Sequence, residues 1–436
     1  MLALLILLLI FIHLLPWLNS RRDGVGKNPA KLISIISGIM SIPYLCIIAW
    51  DGEKSAVKSI LKSGDFEHLL TVFIVYYCAG MLCLFAGISL GARIKLPILN
   101  VFSLHKPVGT RFYRRFSHFF LVVVLLLSAL KMQQVGGLLG FWADIGMRAQ
   151  NLSGTGILDV FILPSSYLAI FFALYARSID GRPSRYWIVF LVVAMFVALS
   201  LFGGRKNSIM LVIFSLLAAS VFNLRFKLIS LKALIAYAFL GIFFVAILIF
   251  RLGSQIDSAS GSFDLLDAIQ NTSYVDTYLF IIDYFSDRPF WYGAGFGDLA
   301  IRLLSSGDPS LLPPIDDGVY IRSLVEGWSV KPPMPFNELY PSSWPPETFG
   351  SGYVNFGFIG VVFFFFLKGL ISGMLFRWAR ARAFAPIPLF LMIYFSANFH
   401  LSNLRIVQTG FLFAVTFIVV MFLRISTSTR KVRMAS

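Results

Sequence analysis

Arg205 and Lys206 follow Gly203 and Gly204 in a short turn between two apolar runs, a pairing of charge and backbone access suited to holding an anion. An arginine fork grips phosphate oxygens bidentately and stays charged, and glycines let backbone N–H groups approach the same anion. Arg148, Arg251, Arg322 and Arg405 fall on the same side of the apolar runs by the loop count given below. A lipid-linked phosphate or pyrophosphate is the expected partner. Any one of these arginines taken alone reads first as a snorkelling side chain or the partner of an acid, and Lys368, inside an apolar run, reads as snorkelling.

Cations so placed would stabilise negative charge building on a departing phosphate or pyrophosphate, with no metal needed. The attacking hydroxyl would then gain from a general base. Glu347 and Asp317 are the candidates, with Glu326 and Glu338 behind them. Asp316-Asp317 sits in a Pro-flanked turn, where a solvated pair is expected, and no Asp-x-Asp motif or His/Asp cluster accompanies it. The reading therefore includes no metal and no cofactor. Five histidines are scattered along the chain, only His68 and His400 lying near the arginine-bearing side.

The elements that must position these groups follow from composition. The chain has 436 residues, 58% of them hydrophobic and 13% charged, with 45 Phe. Apolar runs of about 17–25 residues cross the roughly 30 Å hydrocarbon core as helices. The expected fold is therefore all-α and polytopic, with eleven transmembrane helices near 1–18, 32–50, 68–91, 116–131, 156–176, 186–202, 207–223, 230–250, 352–376, 384–399 and 408–424. The first run lacks a basic n-region before it and reads as a retained span.

Lys and Arg mark the inner side of a membrane protein. The odd-numbered connections and the C-terminal tail hold 23 of them against 13 in the even-numbered connections, which puts the N-terminus outside and the C-terminus inside. The net charge of +16 is accounted for by this topology, so no nucleic-acid partner is expected. Cys46, Cys78 and Cys83 fall inside spans and give no disulfide framework.

The chain thus divides into a membrane domain, residues 1–251 with helices one to eight; an outer loop, 252–351; helices nine to eleven, 352–424; and an inner tail, 425–436. The loop carries 13 of the 21 acidic residues. Its first part, Phe263 to Phe285, interleaves apolar residues with Asp264, Asp267, Asp276 and Asp283, as in a helix lying on the bilayer or across the bundle. Pro309 to Pro346 is rich in Pro, Ser and Gly and is expected to form an irregular, ordered lid. Asn355-Phe356-Gly357 opens the ninth span, where glycine allows close packing and Asn355 can bond backbone or a sugar hydroxyl. Trp291, Tyr292, Trp328, Tyr340 and Trp344 can stack on sugar rings or line the membrane interface.

Three stretches share a pattern. Lys131-Met-Gln-Gln-Val-Gly136-Gly137 through Arg148, then Gly203-Gly204-Arg205-Lys206-Asn207, then Pro341-Ser342 through Gly352-Tyr353-Val354-Asn355-Phe356-Gly357-Phe358-Ile359-Gly360, resemble the Wzy-type O-antigen and oligosaccharide repeat-unit polymerases. The order of the motifs and the large loop before the last three spans match as well, so the resemblance covers most of the chain. It implies a glycosyltransferase of the bacterial inner membrane, with a periplasmic N-terminus and a cytoplasmic C-terminus. Such an enzyme transfers a growing glycan from undecaprenyl pyrophosphate to a new lipid-linked repeat unit at the periplasmic face, alongside membrane lipids and a chain-length regulator. The arginines and Lys206 would hold pyrophosphate, and Asn355 and Tyr353 the glycan. One departure stands out: where relatives carry an acid four residues before the Asn of Asn-Phe-Gly, this chain has Ser351, and the nearest acid is Glu347.

Two other functions compete. An O-antigen ligase uses a similar donor, and a catalytic histidine in the outer loop would favour it; none lies between Leu252 and Ser351. A flippase of lipid-linked sugars would favour broken helices and paired repeats with polar groups at mid-membrane.

Overall fold

The computed structural model describes residues 1–19, 24–62, 64–102, 109–134, 136–137, 156–199, 205–222, 224, 269–270, 273–305 and 308–435. Among them the chain is helical, with no strand. Six helices are long and apolar enough to cross a membrane, and four shorter ones are equally apolar. The expected eighth span, 230–250, lies outside the described residues.

The described chain forms two compact units. One holds residues 110–268, with α4 (Thr110–Gln134), α5 (Gly156–Asp180), α6 (Arg185–Ala198) and α7 (Arg205–Val221). Its centre is α5, buried along most of its apolar length. Phe172 of α5 packs on Tyr113 and Phe116 of α4, Tyr167 packs edge-on to Phe214 of α7, and the Ser117 hydroxyl donates to the Ala169 carbonyl at 2.7 Å.

Residues 1–109 and 269–436 form the other unit. It contains α1 (Leu2–Asn19), α2 (Pro29–Trp50), α3 (Phe66–Gly91), α8 (Val275–Tyr284), α9 (Ala294–Leu304), α10 (Gly318–Val325), α11 (Glu347–Ala381), α12 (Pro386–Asn398) and α13 (Asn403–Ala435). Its spine is α3 against α11. Gly87 and Gly91 of α3 meet Gly369 and Gly373 of α11, two glycine pairs each spaced by four, so the helices touch backbone to backbone: a Cβ on Gly87 would sit 2.9 Å from the Leu370 nitrogen.

Of the two expectations for Phe263 to Phe285, a helix on the bilayer or one across the bundle, α8 fits the second. The helix is short and almost wholly buried, and its acids are pinned from within. Asp276 accepts from the Tyr44 hydroxyl at 2.7 Å, the Ser55 hydroxyl at 2.8 Å and the Gln270 amide at 3.1 Å, and Asp283 accepts from the Lys62 backbone N–H at 2.7 Å. The alternation of acids with apolar residues thus marks a helix laid across the bundle, each acid satisfied by fixed donors. The Pro-rich stretch that follows is ordered around the two-turn helix α10 as well as 3-10 turns at Pro309–Leu311 and Phe336–Glu338.

Candidate functional site

Helix α11 is broken. Phe356 and Gly357 leave helical geometry, Gly357 at φ 62°, ψ −146°. In a straight helix residues eight apart are separated by about 12 Å. Here a Cβ on Gly352 would lie 2.6 Å from the Gly360 carbonyl oxygen, so the chain folds back on itself. The free end of the first leg, 347–355, is capped by the loop from α8: the backbone N–H groups of Trp291 and Tyr292 donate to the carbonyls of Val354 and Asn355 at 2.8 and 3.1 Å. Asn355 locks the joint. Its amide oxygen accepts from the Gly293 N–H at 2.9 Å and its amide nitrogen donates to the Ser351 carbonyl at 2.8 Å. Asn355 is therefore committed to backbone rather than open to a sugar. Tyr353 is likewise buried, among Tyr76, Phe290 and Phe349.

The fold-back sets up the chemistry. Glu347 stands ten residues before Gly357, and Lys368 eleven after it, so the two legs return Lys368 towards Glu347, and their charges interact. Lys368 is thus drawn into a polar cluster, a correction to its reading as a snorkelling residue. Glu347 starts α11 in the left-handed region at φ 50°. That conformation costs a non-glycine residue about 1–2 kcal/mol, and such strain collects at working sites. A Glu347 carboxylate oxygen lies 2.9 Å from Nδ1 of His400, which follows α12 and is buried. Tyr77 of α3 and Tyr278 of α8 also lie within reach of the Glu347 charge.

Burial lowers the His400 pKa; Glu347 pulls it back up, but Arg405 and Lys368 lower it further, and the result lies below the ordinary histidine value. At neutral pH the imidazole is therefore uncharged. Nδ1 stands 2.9 Å from the Glu347 carboxylate but out of line for a hydrogen bond, and in the neutral ring one of the two nitrogens carries a lone pair able to accept a proton. Arg405, in the first turn of α13, donates to the Gln408 side chain at 2.8 Å and contributes to the field at His400. A carboxylate, a neutral imidazole, a guanidinium and an ammonium thus act on one another electrostatically. His400 is the residue that the sequence hid, because its partner lies 53 positions away and only the break in α11 brings them together.

The other expected residues fall elsewhere. Arg322 is paired with Glu326 in an ion pair one helical turn apart, and its guanidinium stacks over Tyr340 and Trp344 at 5.3 and 5.2 Å. The pairing occupies two of the aromatics expected to bind sugar, and Arg322 is not drawn to Glu347. Asp317 is buried, contrary to a solvated turn, and accepts from the Asn403 amide at 3.2 Å. Glu338 is exposed. Arg205 and Lys206 form the first turn of α7, whose N-terminal dipole disfavours cations and favours an anion beside them. Arg148 and Arg251, and Gly203 and Gly204, lie outside the described residues.

Among the described residues no three His, Cys, Asp or Glu side chains converge on a point where they could hold a metal ion. Comparison with protein-family models, with curated proteins and with solved structures finds no match, so the chain is placed here by its own geometry as a helical, membrane-embedded protein with a broken helix and a buried Glu347–His400 pair.

Proposed function

We propose that this protein is a glycosyltransferase that polymerises undecaprenyl-pyrophosphate-linked oligosaccharide repeat units at the periplasmic face of the bacterial inner membrane. The observation that carries the reading is the Glu347–His400 pair with Arg405 and Lys368 beside it. Transfer of a glycan from a pyrophosphate carrier needs a base for the acceptor hydroxyl and fixed positive charge for the leaving group. In this reading His400 takes the hydroxyl proton, and the Glu347 carboxylate, 2.9 Å from Nδ1, stabilises the imidazolium that forms. Arg405 and Lys368 supply positive charge for the departing pyrophosphate. The base in this account is His400, and Glu347 supports its charged form. Arg205 and Lys206 at the start of α7 are a further pair of cations suited to a phosphate or pyrophosphate. Membrane lipids and a chain-length regulator complete the expected partners.

His400 also favours a second reading. A catalytic histidine is what an O-antigen ligase would carry, and this one comes from beyond the 252–351 loop. A flippase gains less from the broken helix, because the freed carbonyls at Val354 and Asn355 are already occupied by Trp291 and Tyr292. Deletion of the gene separates the three. A polymerase mutant leaves single repeat units on the lipid A core, a ligase mutant leaves none attached while lipid-linked polymer persists, and a flippase mutant traps units in the cytoplasm. Normal polymer lengths in the deletion strain would overturn the reading.

A further inference from the structure

Helix α9 is built the wrong way round for a helix in water. Gly297, Ala300, Ile301 and Leu304 recur at the three- and four-residue spacing of a single helical face, and that face is exposed, Leu304 to 86%. The opposite face carries the polar groups and is turned inward. Asp298 is fully buried and accepts from the Tyr320 hydroxyl at 2.6 Å, Arg302 donates to the Pro313 carbonyl at 2.7 Å, and the Gly295 carbonyl accepts from the Asn403 amide at 2.6 Å. A surface helix of a soluble protein shows the reverse, with its apolar stripe on the core and its charges in water.

The contacts of α9 set its depth. Phe296 packs 6.0 Å from Phe364 of α11, and the adjoining Phe365 packs edge-on to Tyr77 of α3 at 5.7 Å and would meet a Cβ on Gly80 at 3.1 Å. Tyr77 and Gly80 each lie at least eleven residues from either end of α3, about 16 Å along the helix. Since α3 is long and apolar enough to cross a membrane whose hydrocarbon core is about 30 Å thick, that level falls well inside the core. Groups exposed there meet acyl chains rather than water. The inverted pattern then becomes the favourable one, because polar groups at that depth must face protein and apolar ones can face lipid. Helix α11 presents exposed apolar residues of its own on either side of Gly360, Phe358 and Phe363 among them, so α9 prolongs a surface that a spanning helix already offers to lipid.

We propose that α9 is a re-entrant membrane helix whose Gly297, Ala300, Ile301 and Leu304 face is seated against the acyl chains of the bilayer, so that the segment 252–351 dips back into the membrane instead of lying wholly outside it. The occupant of this face is bilayer lipid, because the four residues offer neither charge nor a side-chain hydrogen bond and α9 meets α11 at hydrocarbon depth. With 11 residues against the roughly 20 that a spanning helix needs, α9 cannot cross, and the chain returns to the side it came from. The helix also brings lipid close to the His400 cluster: Asn403, which donates to Gly295 of α9, lies two residues before Arg405.

Spin labelling of the full chain, in vesicles of phosphatidylethanolamine and phosphatidylglycerol, tests this independently of any enzymatic activity. In a background of Cys46→Ser, Cys78→Ser and Cys83→Ser, a nitroxide is attached in turn through Ile301→Cys and Leu304→Cys, with Asn337→Cys, at an exposed position of the Phe336–Glu338 turn, as the aqueous reference. The labels at 301 and 304 should collide more with oxygen, which concentrates in hydrocarbon, than with a water-soluble nickel chelate, and the label at 337 should show the reverse. Preference for the nickel chelate at 301 and 304 would put the face in water and overturn the proposal. Protection from both at those positions would mean that a second copy or another part of the chain covers the face, and would overturn it equally. The wild-type protein supplies a second measurement that needs no variant: an apolar carbene-generating photoprobe dissolved in the same vesicles should label the peptide containing 294–304. Absence of label there, with the 358–366 peptide of α11 labelled, would also overturn the proposal.

Discussion

Gly352→Ala probes the fold-back of α11 directly. The new Cβ would lie 2.6 Å from the Gly360 oxygen, 2.7 Å from the Gly360 carbonyl carbon and 2.8 Å from the Val361 nitrogen, all of them backbone atoms with no rotamer to escape into. Side-chain Cβ atoms do not approach nearer than 3.0 Å, so the legs must part by at least about 0.4 Å, and by about 0.8 Å to restore ordinary contact at 3.4 Å. Overpacking of this kind costs about 1–3 kcal/mol, against a gain of up to about 1 kcal/mol from replacing glycine in a helix. Net destabilisation of about 1–2 kcal/mol is expected. The functional effect should be larger in proportion, because misplacing a reacting group by about 1 Å can cost roughly 100-fold in rate. Glu347 rides on the leg that moves. The assay is the thermal midpoint in detergent together with polymer length in cells complemented with the variant, and polymer yield should fall about 10- to 100-fold. Gly410→Ala is the control: nothing lies within 4 Å of its added Cβ, so stability should hold or rise by up to about 1 kcal/mol and polymer should be unchanged. Wild-type stability and polymer in Gly352→Ala would refute the folded-back geometry.

Further expectations follow from the same contacts. Glu347→Gln removes the carboxylate that stabilises protonated His400, and polymer formation in a reconstituted assay should fall about 10²–10⁴-fold with little change in KM. Protonated His400 cannot accept a proton; since its pKa lies below the ordinary 6.5, the rate should be flat around neutral pH and fall only on acidification beyond that value, and Arg405→Gln, by removing a cation that lowers the pKa, should move the acid limb of the residual rate to higher pH. Asn355→Ala strips the joint of two hydrogen bonds and should lower stability by about 1–3 kcal/mol in a denaturation series, whereas a sugar-binding role predicts a raised KM at unchanged stability. Arg205→Ala and Arg205→Lys should both abolish polymer in cells while the protein accumulates normally in the membrane, as judged by immunoblot; full activity of Arg205→Ala would return that residue to a topological role.

Much of the architecture was legible because hydrocarbon leaves the backbone few options. Long apolar runs must be helices, and α2, α3, α4, α5, α11 and α13 follow from that alone. Length was read less well at α12, which is shorter than the apolar run 384–399 that announced it. The acids of α8 were visible as a pattern but not as buried acceptors, since the donors at Tyr44 and Ser55 are more than 200 residues away. Glu347 was named from the sequence, and its partner was not. Nothing local joins Glu347 to His400 or Lys368; the break at Phe356–Gly357 does, and Gly357 was read only as allowing close packing. The glycines spaced by four in α3 and α11 were a readable sign of the spine, because that spacing sets small residues on one helix face. Arg322 follows the simpler reading of a lone arginine, the partner of an acid, here Glu326.

The measurement that bears most directly on the proposed function is turnover by the purified protein in liposomes, supplied with one defined undecaprenyl-pyrophosphate-linked repeat unit and nothing else to accept the glycan. The account predicts products lengthening by whole repeat units, with one undecaprenyl pyrophosphate released per addition, and loss of that ladder in His400→Gln. No elongation of the lipid-linked unit, together with transfer once a lipid A-core acceptor is added, would contradict it and identify a ligase.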